Sequence, residues 1–206
     1  MAQIKTKVVA FDCDGVMFDS TEANKAYYNQ ILKRFGKPEL TLEQFAYTHM
    51  HTADVSMAYL FEDKGLLAAA QKYRKQMTYM PFIRHMEMEP HLRNLLAGLK
   101  VRYKTAIASN RTDTMNKVLE VHGLEKDFDF VVSALDVERP KPYPDELLKI
   151  ADYFEVQPKE IIYVGDSEVD EMAAKASGVS LVAYDNPNLS AEFHIRSLRE
   201  LEMILL

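Results

Sequence analysis

The sequence predicts an α/β fold, a doubly wound parallel sheet that carries an inserted α-helical cap. Short apolar segments alternate with amphipathic helical patterns along most of the chain, as in sheets covered by helices on both faces. The segments are continuously apolar, which is expected for strands buried on both sides. About 60 residues after the first segment contain only helical patterns, far more than a usual connection. We therefore expect a Rossmann-like core with an insertion.

Five segments are predicted to form the sheet. They are Lys7–Phe11, Thr105–Ala108, Phe130–Ser133, Ile161–Gly165 and Leu181–Tyr184. Helical patterns separate and follow them: Pro90–Leu99, Arg111–His122, Pro144–Phe154, Ser167–Ser177, and a last helix that begins at a capping box of Ser197 and Glu200. Gly123 and Gly178 are expected to end two of these helices.

The insertion is predicted to contain four helices. Asp19 with Glu22, and Thr41 with Gln44, have the spacing of capping boxes for the first two. The third and fourth are predicted at Asp54–Phe61 and Leu66–Tyr79. The expected domains are a core of residues 1–18 and 82–206 and a cap of residues 19–81.

Composition excludes several classes of partner. Of the 206 residues 48% are hydrophobic, which is enough for a substantial core. A net charge of −6 gives no long-range attraction to nucleic acid or to an anionic membrane, and no apolar run reaches membrane-spanning length. The single cysteine, Cys13, excludes an intramolecular disulfide. We expect a cytoplasmic monomer or weak homodimer without nucleic-acid or membrane partners.

The first polar signal lies in Phe11–Ser20, directly after the first strand. Asp12 and Asp14 are separated by one residue, so on an extended chain their side chains point to the same side. Two carboxylates this close repel each other unless a cation or a shared proton intervenes. Oxygen ligands favour Mg²⁺ over zinc. Gly15 follows, where a sharp turn or a close approach to a ligand needs no side chain.

Three further polar segments follow along the chain. Ser109 and Asn110 end the second strand, where a hydroxyl and free backbone amides before a helix suit a phosphoryl group. Lys141 lies in a segment whose three prolines restrict the backbone. Asp166 ends the fourth strand, and Asp170 lies four residues on, on the same side if a helix begins promptly.

These four segments, in this order, resemble the four motifs of the haloacid dehalogenase-like superfamily of phosphohydrolases. The insertion resembles the small helical cap of that superfamily, in its phosphoglycolate phosphatase and β-phosphoglucomutase-like subgroup. The resemblance covers essentially the whole chain, and an ordered set of four motifs is specific. It implies a Mg²⁺ cofactor and a small phosphorylated metabolite as the substrate.

The resemblance also implies catalytic roles. Asp12 would attack phosphorus and become an aspartyl-phosphate. Asp14 would protonate the leaving oxygen and then activate the water that hydrolyses the intermediate. Lys141 would balance negative charge on Asp12 and on the phosphoryl group. Ser109 would complete the catalytic set by binding a phosphoryl oxygen.

Metal and phosphate ligands are implied in the same way. The carboxylates of Asp12 and Asp166 and the backbone carbonyl of Asp14 would hold Mg²⁺. Asp170 would be either an outer acid that orients other groups or a ligand through water. Ser109, Lys141 and the backbone amides near Cys13, Gly15 and Asn110 would bind the phosphoryl oxygens.

Some residues admit a second interpretation. Cys13 would be a redox switch between the two acids, but a small buried apolar residue is the favoured interpretation. His49 and His51 would face the substrate when the cap closes, but solvent-exposed cap residues are favoured. Asp19 is expected to cap a helix and not to take part in catalysis.

The sequence favours a phosphatase that hydrolyses a small organic phosphomonoester. A β-phosphoglucomutase-like mutase shares every core residue, but residues 20–80 contain no convincing cationic site for a sugar phosphate. A haloacid dehalogenase has no need of an acid at Asp14. A non-catalytic ligand- or partner-binding member is the remaining alternative, and such proteins usually lose the nucleophile or a metal ligand, which this chain keeps.

Overall fold

The computed structural model describes residues 6–205, and its core is the predicted α/β sheet. Eight strands occur among these residues: β1 (Val8–Phe11), β2 (Phe18–Asp19), β3 (Glu87–Met88), β4 (Lys104–Ser109), β5 (Phe130–Ser133), β6 (Ile161–Gly165), β7 (Ser180–Tyr184) and β8 (Phe193–Ile195). Six of them form a parallel sheet in the order β5-β4-β1-β6-β7-β8. β2 and β3 form a separate antiparallel pair.

Ten α-helices occur in the same part of the chain: α1 (Thr21–Arg34), α2 (Leu42–Met50), α3 (Ala53–Leu60), α4 (Lys64–Gln76), α5 (Met80–Ile83), α6 (Leu92–Leu99), α7 (Met115–His122), α8 (Asp145–Tyr153), α9 (Glu168–Ser177) and α10 (Leu198–Leu205). Side chains of α6, α7 and α10 pack on one face of the sheet, and those of α8 and α9 pack on the other. Within residues 6–205, the helices are all too short or too polar to cross a bilayer.

The sheet is buried on both faces because successive strand residues belong to different cores. In β1, Val9 and Phe11 pack with α6, α7 and α10, whereas Val8 and Ala10 pack with α8 and α9. All four are fully buried. This two-sided burial explains why the strands are continuously apolar in sequence.

The five predicted strands are confirmed, each to within one residue at either end. The sixth strand of the sheet, β8, was missed because it is an edge strand of three residues, two of them exposed. The predicted helix Arg111–His122 begins only at Met115. The backbone of Arg111 makes hydrogen bonds outside a helix. Its N–H donates to Ser109 Oγ, and its carbonyl accepts from the N–H of Ala134.

The cap helices have a hydrophobic core of their own. Buried side chains of α1, α3 and α4 form a cluster separate from the two clusters that cover the sheet. The chain leaves the core through β2 and returns through β3, so this antiparallel pair joins the two parts. The exact domain limits, 18/19 and 81/82, stay a prediction, and residues 1–5 and 206 of the predicted core lie outside the described residues.

Three capping predictions had different outcomes. The box of Thr41 and Gln44 is confirmed, because each side chain accepts the other residue's backbone N–H. The box of Asp19 and Glu22 is wrong: the helix begins at Thr21, whose N–H donates to Asp19, and Glu22 pairs with Lys25 instead.

The last helix begins after Ser197, as predicted, but its hydrogen bonds differ from those of a capping box. Ser197 Oγ accepts the N–H of Arg199, and Glu200 accepts the N–H of Arg196. Glu89 of the core accepts the N–H of Leu198 at 3.1 Å, which adds a long-range cap to this helix.

We predict that Thr41→Ala lowers the free energy of unfolding by about 1 kcal/mol, because it removes the acceptor for the Gln44 N–H. Thr41→Ser keeps a hydroxyl and should stay close to the wild type. Urea unfolding of the three proteins measures both effects. Equal losses from Ala and Ser would show that the box does not stabilise α2.

Candidate active site

The candidate site lies where the three central strands end. β1 sits between β4 and β6 in a parallel sheet, so the carboxyl ends of all three meet at one edge. Asp12 follows β1, Ser109 ends β4 and Asp166 follows β6. Doubly wound sheets bind ligands at this edge, where the strand order changes direction. The predicted motif residues are thus brought together by topology.

Lys141 is the buried cation of this edge. Its Nζ lies 2.9 Å from Asp12 Oδ1 and 2.8 Å from Asp170 Oδ1, and it donates to the Tyr163 hydroxyl at 2.7 Å. The residue is only 3% exposed. Burial alone would lower the pKa of Lys141, but the charges of Asp12 and Asp170 outweigh burial and raise it. The ammonium therefore stays charged and links two acids.

Both carboxylate oxygens of Asp170 have protein partners. Oδ1 accepts from Lys141 Nζ and from the Tyr163 hydroxyl, each within 2.8 Å. Oδ2 accepts the N–H and the hydroxyl of Ser167 at 3.0 and 2.5 Å. Burial opposes ionisation of Asp170, but the charge of Lys141 outweighs it, so the pKa lies below its ordinary value. Two roles were open for Asp170: an outer acid that orients other groups, or a metal ligand through water. This geometry favours the outer acid, which would orient Lys141 and the start of α9.

Asp12 and Asp166 form the candidate metal site. Together with Asp170 they can place one carboxylate oxygen each within 4.8 Å of one another. Burial, and after it the neighbouring acids, raises the pKa of Asp166. Burial likewise raises the pKa of Asp12 to about 7, although Lys141 opposes the shift. A divalent cation would remove this repulsion, and an all-oxygen donor set fits Mg²⁺.

Gly15 lies against this acidic group. A Cβ on Gly15 would come within 2.0 Å of Asp166 Oδ2, and the backbone has a φ of +80°. A larger residue would therefore clash with a metal-site carboxylate and strain the turn. The absence of a side chain lets the Asp14–Gly15 backbone approach Asp166, as the predicted backbone ligand requires.

Asp14 does not share the partners of Asp12. Arg111 donates to both of its oxygens, from Nε to Oδ2 at 2.7 Å and from Nη2 to Oδ1 at 2.6 Å. Ser20 and Asn24, at the start of the cap, also donate to Oδ1. Burial would raise the pKa of Asp14, but the charge and hydrogen bonds of Arg111 bring it below its ordinary value. The second acid is thus held at the junction of core and cap.

A small cavity lies between the core and the cap. Its volume is about 70 Å³, and it is lined by Asp12, Asp14, Ser109 and Arg111 from the core and by residues of α1, α2 and α4 from the cap. His49 and His51 both line it, so the favoured interpretation of exposed cap histidines is wrong. His49 Nδ1 lies 3.1 Å from Asn24 Nδ2, and burial lowers the pKa of His49.

The other predicted phosphate-binding residues have different environments. Ser109 ends β4 and is 1% exposed, and its Oγ accepts the N–H of Arg111 at 3.2 Å. The side chain of Asn110 donates to the backbone carbonyls of Met50 in the cap at 2.8 Å and Lys141 at 3.0 Å, so it links cap and core. Cys13 is fully buried, and burial raises the pKa of its thiol, which agrees with the favoured apolar interpretation.

Sequence reasoning missed three buried polar side chains of the site. Arg111 directly follows the predicted phosphate segment, and a cation there was a usable signal. Tyr163 interrupts an apolar strand, and a buried tyrosine hydroxyl needs a partner. Glu146 carried no signal: it sits in an ordinary amphipathic helix, and only the tertiary structure buries it completely.

We predict that Gly15→Ala weakens Mg²⁺ binding roughly tenfold or more, because the new methyl group displaces Asp166. Gly36→Ala is the matched control: Gly36 also has a positive φ of 67°, but a Cβ there would meet nothing within 4 Å. Titration calorimetry measures the affinity, and thermal unfolding measures the strain. Unchanged Mg²⁺ affinity in Gly15→Ala would contradict the site as described.

Glu146 gives a prediction on pH dependence. Neither of its carboxylate oxygens has a hydrogen-bond partner among residues 6–205, and burial raises its pKa to about 8. The folded protein therefore keeps a proton that the unfolded chain releases near pH 4.5. The free energy of unfolding should fall between these two pH values, by at most about 1.4 kcal/mol for each pH unit.

Glu146→Gln should remove this loss, so the variant should gain stability over the wild type as the pH rises from 5 to about 8. Urea unfolding at several pH values measures the difference. Glu43→Gln, on the exposed surface of the cap, should show no such trend. A constant difference between Glu146→Gln and the wild type would show that Glu146 is ionised throughout.

Comparison with known proteins identifies the family. The family model for haloacid dehalogenase-like hydrolases matches residues 9–184. The phosphoglycolate phosphatase of Escherichia coli K12 is 30% identical, and the match covers 82% of this chain and 77% of that protein. A solved HAD-superfamily hydrolase from Geobacter sulfurreducens PCA is 37% identical with a TM-score of 0.79, covering 98% of this chain and 97% of its own.

The β-phosphoglucomutase of Clostridium difficile shares the fold, with a TM-score of 0.85 at 19% identity over 97% of this chain and 95% of its own. Family model, relatives and fold agree with the geometry of the strand ends. The chain therefore belongs to the haloacid dehalogenase-like hydrolases, as its four motifs predict, and is an enzyme of the phosphohydrolase type.

Proposed function

We propose that this hydrolase is a Mg²⁺-dependent phosphatase that cleaves a small organic phosphomonoester through an aspartyl-phosphate on Asp12. The observation that carries the proposal is the contact between Asp12 Oδ1 and Lys141 Nζ at 2.9 Å, beside Asp166. Lys141 opposes the effect of burial and so favours the anionic form of Asp12 next to a candidate cation site. An anionic carboxylate at that position is a nucleophile for phosphorus.

Asp12 attacks the phosphorus of the substrate, and the bond from phosphorus to the ester oxygen breaks. Lys141 offsets negative charge on Asp12 and on the phosphoryl oxygens, and the hydroxyl of Ser109 donates to one of these oxygens. The carboxylates of Asp12 and Asp166 and the carbonyl of Asp14 would hold Mg²⁺, which supplies further charge neutralisation when bound.

Asp14 transfers a proton in each of the two steps. Arg111 keeps Asp14 ionised in the structure, so Asp14 first has to take up a proton from solvent. It donates this proton to the departing ester oxygen, and then takes one from the water that attacks the phosphorus of the aspartyl-phosphate. Asp12 is regenerated and inorganic phosphate leaves. In the structure Asp14 is paired with Arg111, so this ion pair must open before Asp14 can act.

The size of the cavity supports a small substrate. About 70 Å³ is room for roughly five water molecules. The bond from Asn110 to the carbonyl of Met50 holds the cap over this space. A small phosphorylated metabolite fits better than a protein or a nucleic acid, and the relatives named phosphoglycolate phosphatase make 2-phosphoglycolate the first candidate.

A phosphosugar mutase is the second candidate. One observation in its favour, a cation of the cap beside the cavity, could not be made from the sequence. Residues 20–80 were expected to contain no convincing cationic site for a sugar phosphate, and Arg74 is a cation of the cap that lines the cavity. Its guanidinium is nevertheless paired with Asp54 at 2.5 Å. Hydrolysis therefore remains the better-supported reaction.

Phosphate release from a panel of small phosphomonoesters, with and without Mg²⁺, tests the proposal. We expect Mg²⁺-dependent release that is lost by at least about 10³-fold in Asp12→Asn, since the nucleophile is removed. Isomerisation of β-glucose 1-phosphate is followed in parallel. Isomerisation with little release would favour the mutase, and stoichiometric ligand binding without turnover would favour a non-catalytic member.

A further inference from the structure

Arg111 is a buried cation of the cavity that the phosphatase proposal leaves without a role. Its side chain is 7% exposed, and Asp14 is the one acid that it pairs with among residues 6–205. The guanidinium also lies 5.0 Å from the ring centre of Tyr79, and its Nη1 donates to Thr114 Oγ1 at 3.3 Å. Removing Asp14 would therefore leave a buried guanidinium with neutral partners only.

We propose that Arg111 determines specificity: it holds Asp14 in the resting enzyme and releases it for substrates whose leaving group carries its own negative charge. The inference rests on the proposed phosphatase activity and adds a selection step to it. An anionic group of the leaving group replaces Asp14 on the guanidinium. Asp14 is then free to turn to the ester oxygen.

The geometry of the pair favours such an exchange. Arg111 occupies both oxygens of Asp14 through a two-pronged contact, with donor–acceptor distances of 2.7 and 2.6 Å. Both bonds fix the orientation of the carboxylate, and each of its oxygens already accepts from Arg111. A buried guanidinium without an anionic partner is strongly unfavourable, so the pair opens at low cost only when another anion takes over. Carboxylate and phosphate groups match the guanidinium fork, and a neutral alcohol does not.

The position of Arg111 puts it within reach of a leaving group. It lines the same cavity as Asp12 and Ser109, and its backbone N–H donates to Ser109 Oγ at 3.2 Å. A phosphoryl group on Asp12 and Ser109 thus has its ester oxygen in a space that Arg111 borders. Ser20 and Asn24 remain as partners for Asp14 during the exchange.

Matched substrates test the proposal: 2-phosphoglycolate, which carries a carboxylate, and its carboxamide, which is neutral there. We expect the wild type to prefer the acid in kcat/KM. Arg111→Gln should reduce this preference roughly tenfold or more, because the charged partner of the carboxylate is lost. Arg199→Gln is the matched control: it removes an exposed charge outside the cavity, and should leave the preference within about threefold.

Hydrolysis of both substrates with an unchanged ratio in a folded Arg111→Gln would overturn the selection role and leave the phosphatase proposal standing. Failure of the wild type to release phosphate from the whole panel would instead contradict the proposed function.

Binding to two variants, measured without Mg²⁺ so that no phosphoryl transfer takes place, covers the case in which Arg111→Gln does not fold. Asp14→Asn frees the guanidinium from its ion pair, whereas Asp12→Asn keeps the contact between Arg111 and Asp14. We expect 2-phosphoglycolate to bind Asp14→Asn roughly tenfold or more tightly than Asp12→Asn, by calorimetry, and the carboxamide to show no such difference. Equal differences for the two ligands would contradict the exchange.

Discussion

The buried ammonium of Lys141 is the charge on which the rest of the site depends. Asp12 and Asp166 follow parallel strands and lie at one edge of the sheet. Asp170 lies beside them at the start of α9. Taking several carboxylates out of water is unfavourable unless cations accompany them. Lys141 touches two of them directly, at 2.9 and 2.8 Å. Lys141 lies outside the strands, so the cluster of acids depends on the packing of the loop before α8 against the sheet.

Asp12 and Asp14 lie two residues apart but have different partners, and the proposed chemistry depends on this difference. Asp12 is paired by Lys141, which belongs to the core. Asp14 is shared between Arg111 of the core and Ser20 and Asn24 at the start of the cap. A movement of the cap would therefore act more directly on Asp14, the proposed proton-transferring group, than on Asp12, the proposed nucleophile. The proposed selection of substrates by Arg111 follows from the same arrangement.

The sheet and the motif residues were predictable because their signals are local. An apolar run that stops at an aspartate or a serine indicates a strand and a polar residue at its carboxyl end. The strands were placed correctly on that basis. The role of Arg111 was not predictable in this way. Helical periodicity placed it inside a helix, and only the folded chain shows that Ser109 and Ala134 hold its backbone in a loop. Glu146 has a helical pattern too, and its burial comes from packing between elements far apart in sequence.

Direct observation of the covalent intermediate tests the central proposal, phosphoryl transfer to Asp12. A single turnover with Mg²⁺ and 2-phosphoglycolate is stopped in acid, and peptide mass spectrometry locates the phosphoryl group. Asp14→Asn serves alongside the wild type with a chromogenic aryl phosphate, whose leaving group departs without a proton from Asp14. Hydrolysis of the intermediate should be slowed without the group that activates water. The account predicts one phosphoryl group on Asp12, most abundant in Asp14→Asn and absent in Asp12→Asn. Release of phosphate in the wild type with no phosphorylated aspartate in either active-site background would contradict it.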